Sequence, residues 1–216
     1  MNKIFSKIFS KIKKLFLIIV LLVNANVALA DQNQAVQDYV NTLANQVIAI
    51  VKNKSESQKS KTDQLFSLLQ INFNLDWMAR FVIAQNYRQL NPDQQTDYQN
   101  TYAKYFLYSY LPNLMKYTDE SFKILKVLEQ TPGNFTVETQ ILRTNGQPPI
   151  SINYQVKPKT DNPEEYQVID VVVEGVSAIM SQRSEFSSII QQSGANDFLV
   201  KLKTKVAQLQ AKSNGA

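Results

Sequence analysis

The sequence contains neither cysteine nor histidine. The first absence excludes disulfides, so the fold rests on packing in any compartment. The second removes Ser-His-Asp and Cys-His catalysis, imidazole metal sites and histidine pH switching together. A G-x-S-x-G nucleophile elbow is also lacking. Long apolar runs are scarce: Leu15 to Val23 is nine residues, whereas a membrane-spanning helix needs about 20. A surplus of one charge sign is missing from most of the chain as well. Five of the 23 Lys and Arg residues lie in the first fourteen positions, and residues 31–216 carry 18 basic and 18 acidic side chains. The overall net charge of +5 therefore belongs to one end, and a nucleic-acid reading built on net charge fails.

That basic end has its own pattern. Lys3, Lys7, Lys11, Lys13 and Lys14 precede the apolar run, and Ala28-Leu29-Ala30 follows it. A basic region, an apolar core and an A-x-A site describe a secretory signal peptide over residues 1–30, with cleavage expected before Asp31. A retained amphipathic anchor is the alternative. Residues 31–216 suit a single α+β domain, divided into a helical part (31–117), a sheet (118–176) and C-terminal helices (177–216).

In the helical part, Val36, Tyr39, Val40, Leu43, Val47 and Val51 recur at steps of three and four and predict an amphipathic helix. Residues 52–61 carry no apolar side chain and read as a linker or the polar start of the next helix. Leu65, Phe66, Leu68 and Leu69 predict a helix over 62–71. Asn74 is a candidate N-cap for a short helix. Asn91 is a stronger one, with Pro92 at the first helical position and Gln94 three residues on, as in a capping box. The helix it starts carries Tyr98, Tyr102, Tyr105, Phe106 and Tyr110 to about Leu111, and Pro112 is expected to end or kink it.

Four strands follow. Ser121 to Leu128 is the first. Asn134 to Arg143 places Phe135, Val137, Thr139 and Ile141 on one face and Thr136, Glu138 and Gln140 on the other. Asn145-Gly146 marks a hairpin, and Ile150, Ile152, Tyr154 and Val156 alternate with polar residues beyond it. Tyr166 to Glu174 is the fourth strand, with Val171, Val172 and Val173 adjacent. The short links require antiparallel pairing. Asp170 to Phe186 carries the chain from this strand, through Glu174-Gly175, towards a helix expected from Ser184. A last helix runs from Phe198 to Leu209, with Asn196 as its expected cap. Helices, a four-stranded meander and further helices make an α+β fold with segregated layers. The helices' aromatic stripes are expected to cover the sheet's apolar row.

The residues Asp170 to Ser177 (DVVVEGVS), then Arg183-x-x-Phe186 and a short helix closed by Ser193-Gly194, resemble the MlaC family. These are periplasmic phospholipid-binding proteins, also called the toluene-tolerance auxiliary family. Phe73, Met78-Ala79, Tyr87-Arg88 and Pro92-Asp93-Gln94-Gln95 extend the resemblance. The chain departs from the pattern at Ala84, where a glycine is expected, at Tyr87 in place of Trp and at Gln182 in place of Tyr. The resemblance implies a strongly curved, NTF2-like sheet with helices across its concave side and a deep apolar cavity between. It implies a carrier without cofactor or metal, shuttling phospholipid between an outer-membrane lipoprotein complex and an inner-membrane ABC transporter with an MCE-domain subunit, so that outer-membrane lipid asymmetry is maintained.

The physics of that task demands enclosure. Two acyl chains hold about 30 CH₂ groups, whose exposure to water costs on the order of 20 kcal/mol. The headgroup should stay outside, because burying an unpaired phosphate is costly. Candidate walls are Trp77, Phe81, Tyr102, Phe106 and Tyr110 from helices, and Val137, Ile141, Ile152, Tyr154, Val172 and Val176 from strands. Arg183 is the first candidate for the headgroup rim, ahead of Arg143, Arg88 and Arg80. Asp76, Asp170 and Glu174 are the acids to weigh for an NTF2-like enzyme on a hydrophobic substrate. A carrier for another apolar molecule and a scaffold whose stripes are all core complete the alternatives.

Overall fold

The computed structural model describes residues 32–116, 120–144 and 146–214. The expected leader lies outside these residues. The first helix, α1, occupies residues 32–52, and its three-four spacing buries Val36, Val40, Leu43 and Val51. Helix α2 (Gln58–Asn72) is capped by Ser57. At its end Phe73 turns extended and bridges Val168 in parallel, and the Asn74 amide donates to the Val168 carbonyl at 3.0 Å. This bridge ties the junction of the α2 end and the next helix to the sheet.

Asn74 then caps α3 (Leu75–Ile83), accepting from the Trp77 amide at 3.1 Å. A 3₁₀ turn (Ala84–Gln89) leads to α4 (Pro92–Leu114). The capping box expected at Asn91 is complete: the Gln94 amide donates to Asn91 Oδ1 at 2.9 Å, and the Asn91 amide donates to Gln94 Oε1 at 3.0 Å. Pro112 does not end this helix, which continues to Leu114. So near the terminus proline removes one backbone bond only, and the Met115 amide still reaches the Leu111 carbonyl at 2.9 Å.

The sheet is an open, curved antiparallel meander in sequential order: β1 (Ser121–Thr131), β2 (Asn134–Leu142), β3 (Ile150–Pro158), β4 (Tyr166–Val173) and β5 (Val176–Ser177). The four expected strands are joined by a fifth of two residues. It forms because Glu174 (φ 50) and Gly175 (φ 81) turn the chain back onto β4; positive φ suits the glycine and strains the acid. Helix α5 (Ala178–Asn214) therefore begins at Ala178, six residues before the expected Ser184. Gly194 (φ 79, ψ 165) breaks it into two arms. Asn196, expected as a cap, lies within the second arm and accepts from Gln94 Nε2 at 2.9 Å.

Two apolar clusters result. One fills the helical layer from α2 to α5; the other lies between α1 and the sheet. Val47 and Phe73 pack against both. The α4 aromatic stripe does not cover the sheet as expected. It packs mainly on α5, through Tyr98 against Phe198 (6.1 Å between ring centres) and Tyr105 against Phe186 (5.2 Å). Helix α1 covers the sheet's apolar face instead. Periodicity reveals an apolar stripe but not which neighbour it meets.

Candidate functional site

The site is the apolar face of the sheet and the helical surfaces that meet it. On β2 this face carries Val137, fully buried, and Ile141, half-buried. Across the ladder, Thr139 faces Ile152 and Val137 faces Tyr154. The next pairing contains a bulge. Gln155 pairs with Asp170 but Val156 pairs with Val168, leaving Ile169 extra. An extra residue switches the faces of everything beyond it. Tyr154 consequently faces Val171, and Ile152 faces Val173.

Val172, expected as a wall residue, lies on the opposite face, paired with Asn153 on one side and Ser177 on the other. Val176, also expected there, opens β5 and is 60% exposed. A second bulge at Leu125 keeps Phe122, Ile124 and Val127 on the same face as Val137. Although α1 lies over this face, Ile141, Ile152, Tyr154, Val171 and Val173 are only half-buried. This apolar face is only partly closed by packing.

On the helical side Phe73 stands at the joint, 5.7 Å from the ring of Phe106, which in turn is 5.0 Å from Tyr110. Phe106 is buried and Tyr110 half-buried. Tyr102 is fully buried and donates to Gln182 Oε1 at 2.7 Å. Burial pushes the phenols of Tyr102 and Tyr110 above their ordinary range, and Tyr110 also hydrogen-bonds Gln182. Tyr102 thus belongs to the joint between α4 and α5. Gln182, at a departure from the family pattern, accepts from Tyr102 through Oε1 and also meets the Tyr110 hydroxyl.

Trp77 and Phe81, one turn apart on α3, stack at 5.0 Å. Lys157 from β3 lies 5.8 Å from the Trp77 ring centre, and Arg183 from α5 lies 4.8 Å from that of Phe81. Two half-buried rings are therefore flanked by two cations from different elements. Arg183 meets Phe81 as two of the expected residues brought together. Lys157 was not expected: its alternation within β3 marks it as polar-face, and only the fold places it beside α3.

The other arginines disperse. Arg143 is held in its own hairpin, where Nε donates to the Pro148 carbonyl at 2.8 Å and Nη1 donates to Gln147. Exposed Arg80 donates to the Asp76 carbonyl at 3.1 Å, and Arg88 is exposed on the 3₁₀ turn. The acids have structural partners. Asp170 is buried, accepting from Ser177 Oγ at 2.5 Å and from the Ile179 amide at 3.2 Å, and so anchors the start of α5 on β4. Glu174 accepts from the Ser151 amide, and Asp76 lies in the first turn of α3, where its charge complements the helix dipole. Among the described residues no group of three or more Asp or Glu residues is arranged to hold a metal ion, and no helix is long and apolar enough to cross a membrane.

Residues 41–204 match the family model described as MlaC protein. A curated relative, the intermembrane phospholipid transport system binding protein MlaC of Haemophilus influenzae, is 22% identical over 136 residues. That match covers 62% of this chain and 63% of the relative, so it spans less than two thirds of the relative's length. The solved structure of a phospholipid-binding protein from Ralstonia solanacearum, in complex with a phospholipid, matches with a TM-score of 0.69 at 18% identity. It covers 81% of this chain and 98% of the other; at that identity the likeness establishes the fold.

Proposed function

The chain belongs to the MlaC family, and on that premise we propose that it is a periplasmic phospholipid carrier. The observation that carries the reading is the apolar sheet face around Ile152, Tyr154 and Val171, which lies beneath α1 yet stays half-open. A protein that needed this face only for stability would close it, since interiors pack to crystal-like density. Acyl chains supply the missing apolar cover. They enter along the seam between the two clusters, where Val47 and Phe73 contribute to both. Val137, Ile141, Ile152, Tyr154, Phe106 and Tyr110 form the wall, and Trp77 and Phe81 border it. Arg183, beside Phe81, provides positive charge at the headgroup rim.

The names of the Haemophilus and Ralstonia proteins support the ligand class. The family reading supplies the partners: an outer-membrane lipoprotein complex and an inner-membrane ABC transporter with an MCE-domain subunit. Exchange between them preserves outer-membrane lipid asymmetry, and release follows opening of the seam rather than any covalent reaction. Export through the N-terminal leader places the carrier in the periplasm.

Native mass spectrometry of the protein purified without detergent, followed by lipid extraction, tests the reading. Diacyl phospholipid is expected at close to one per chain. A clean unliganded mass, with no uptake from phospholipid vesicles, would overturn the carrier and leave a scaffold. Arg183→Ala is expected to weaken retention several-fold while Arg88→Ala leaves it unchanged; equal behaviour of the two would remove Arg183 from the rim.

A further inference from the structure

The buried tyrosines divide into two kinds. Tyr39 donates to the Asn72 carbonyl at 2.8 Å, Tyr98 to the Ala79 carbonyl at 2.8 Å, and Tyr102 to Gln182 at 2.7 Å. Each is a phenol whose apolar ring is buried and whose oxygen is satisfied, as buried polar groups generally are. Tyr154 is different. It sits in the middle of the sheet's apolar face, between Val137 on β2 and Val171 on β4. Among the described residues its hydroxyl has no hydrogen-bond partner. Nor is that oxygen sealed in protein: Asn33 Oδ1 is the one sealed and unpaired side-chain polar atom among them. Burial alone pushes the Tyr154 phenol up to about 12, although the residue keeps accessible surface. Its ring is thus packed into the sheet's apolar face while the residue keeps some open surface.

Phenylalanine would serve this position better if contact with apolar matter were the whole task, because an unsatisfied hydroxyl in an apolar setting is costly. A diacyl phospholipid is not uniformly apolar: two ester carbonyls, strong acceptors without donors of their own, lie where its tails begin. We propose that the Tyr154 hydroxyl donates a hydrogen bond to an ester carbonyl of the bound lipid, making Tyr154 a residue that selects ester-linked over ether-linked chains and sets how deeply the lipid sits. This inference rests on the carrier reading. Thr139, on the same face, does not compete for the acceptor, since its hydroxyl already donates to the Ile152 carbonyl at 2.5 Å.

The test uses vesicles of a diester phospholipid and of its diether counterpart with the same headgroup and chain length. Each is offered to the wild-type protein and to Tyr154→Phe, with bound lipid counted by native mass spectrometry and the thermal midpoint recorded to verify folding. Wild type is expected to retain the diester about fivefold better than the diether, the worth of one neutral hydrogen bond. Tyr154→Phe is expected to lose that preference by lowering diester retention alone. Equal retention of both lipids by wild type, or equal effects of the substitution on both, overturns the proposal while leaving the carrier intact. Failure of wild type to load either lipid overturns the carrier reading and the proposal with it. If Tyr154→Phe does not fold, Tyr154→Met supplies the apolar replacement for the same comparison.

Discussion

Single positions record where backbone and side chain disagree. Ala84 ends α3 at φ 48, ψ −122, a region that suits glycine and burdens an L-residue by about 1–3 kcal/mol. The sequence flagged this site, since the family pattern has glycine there. Ala84→Gly is expected to stabilise the protein by about 1 kcal/mol after allowing for the freer unfolded chain, read as a rise of a few degrees in the thermal midpoint. Gly194 is the converse. A β-carbon there would touch nothing within 4 Å, so Gly194→Ala isolates the backbone term and should cost about 1–3 kcal/mol. The caps at Asn74 and Asn91 were legible for a related reason: each depends on an interaction three residues long. The role proposed for Tyr154 was not, because an unpaired hydroxyl exists only relative to neighbours that the fold selects.

Among the elements, the strands of the meander could be read from alternation nearly to their ends, but alternation could not see the bulge in β4. That one inserted residue exchanges Val172 for Val171 on the sheet's apolar face. Val171→Asn should lower lipid retention several-fold, whereas Val172→Asn should leave it within twofold, as counted by the same extraction assay. The reverse ranking would place the lipid on the other face of the sheet. The two-residue β5 and the early start of α5 escaped sequence reading for a shared reason. Both depend on Asp170, a buried strand acid whose partners Ser177 and Ile179 lie beyond a tight turn. In the sequence it reads as a polar interruption of an apolar strand.

For the molecule as a whole, the α+β class, the antiparallel order and the apolar richness followed from composition and pattern. Which helix covers the sheet did not, because α1 and α4 both carry apolar stripes and only tertiary packing tells them apart. The missing histidine and cysteine leave no side chain with an ordinary pKa between the carboxylates and tyrosine. Burial raises the phenols of Tyr98 and Tyr102 well above 10, and those of Tyr105 and Tyr154 to about 12. A raised phenol pKa means that the unfolded chain loses its proton first as pH rises. Stability should therefore be level from about pH 6 to 9 and fall between pH 10 and 12, as followed by urea midpoints across that range. A transition near neutrality would contradict it.

The sequential strand order also bears on how fast the chain reaches its fold. Neighbouring strands are joined by short turns, so the sheet can assemble by successive hairpins, each closing a small loop. Helix α1 is the opposite case, since its residues 32–52 meet Phe135 and Val168 only by closing a loop of roughly a hundred positions. Refolding after a denaturant jump should accordingly slow with Val137→Ala, which weakens the early hairpin. Val40→Ala should leave the refolding rate nearly untouched and quicken unfolding. The cover over the apolar face would then be the last piece to arrive and the first to leave, a kinetic order that keeps the interior accessible until the rest of the chain is in place.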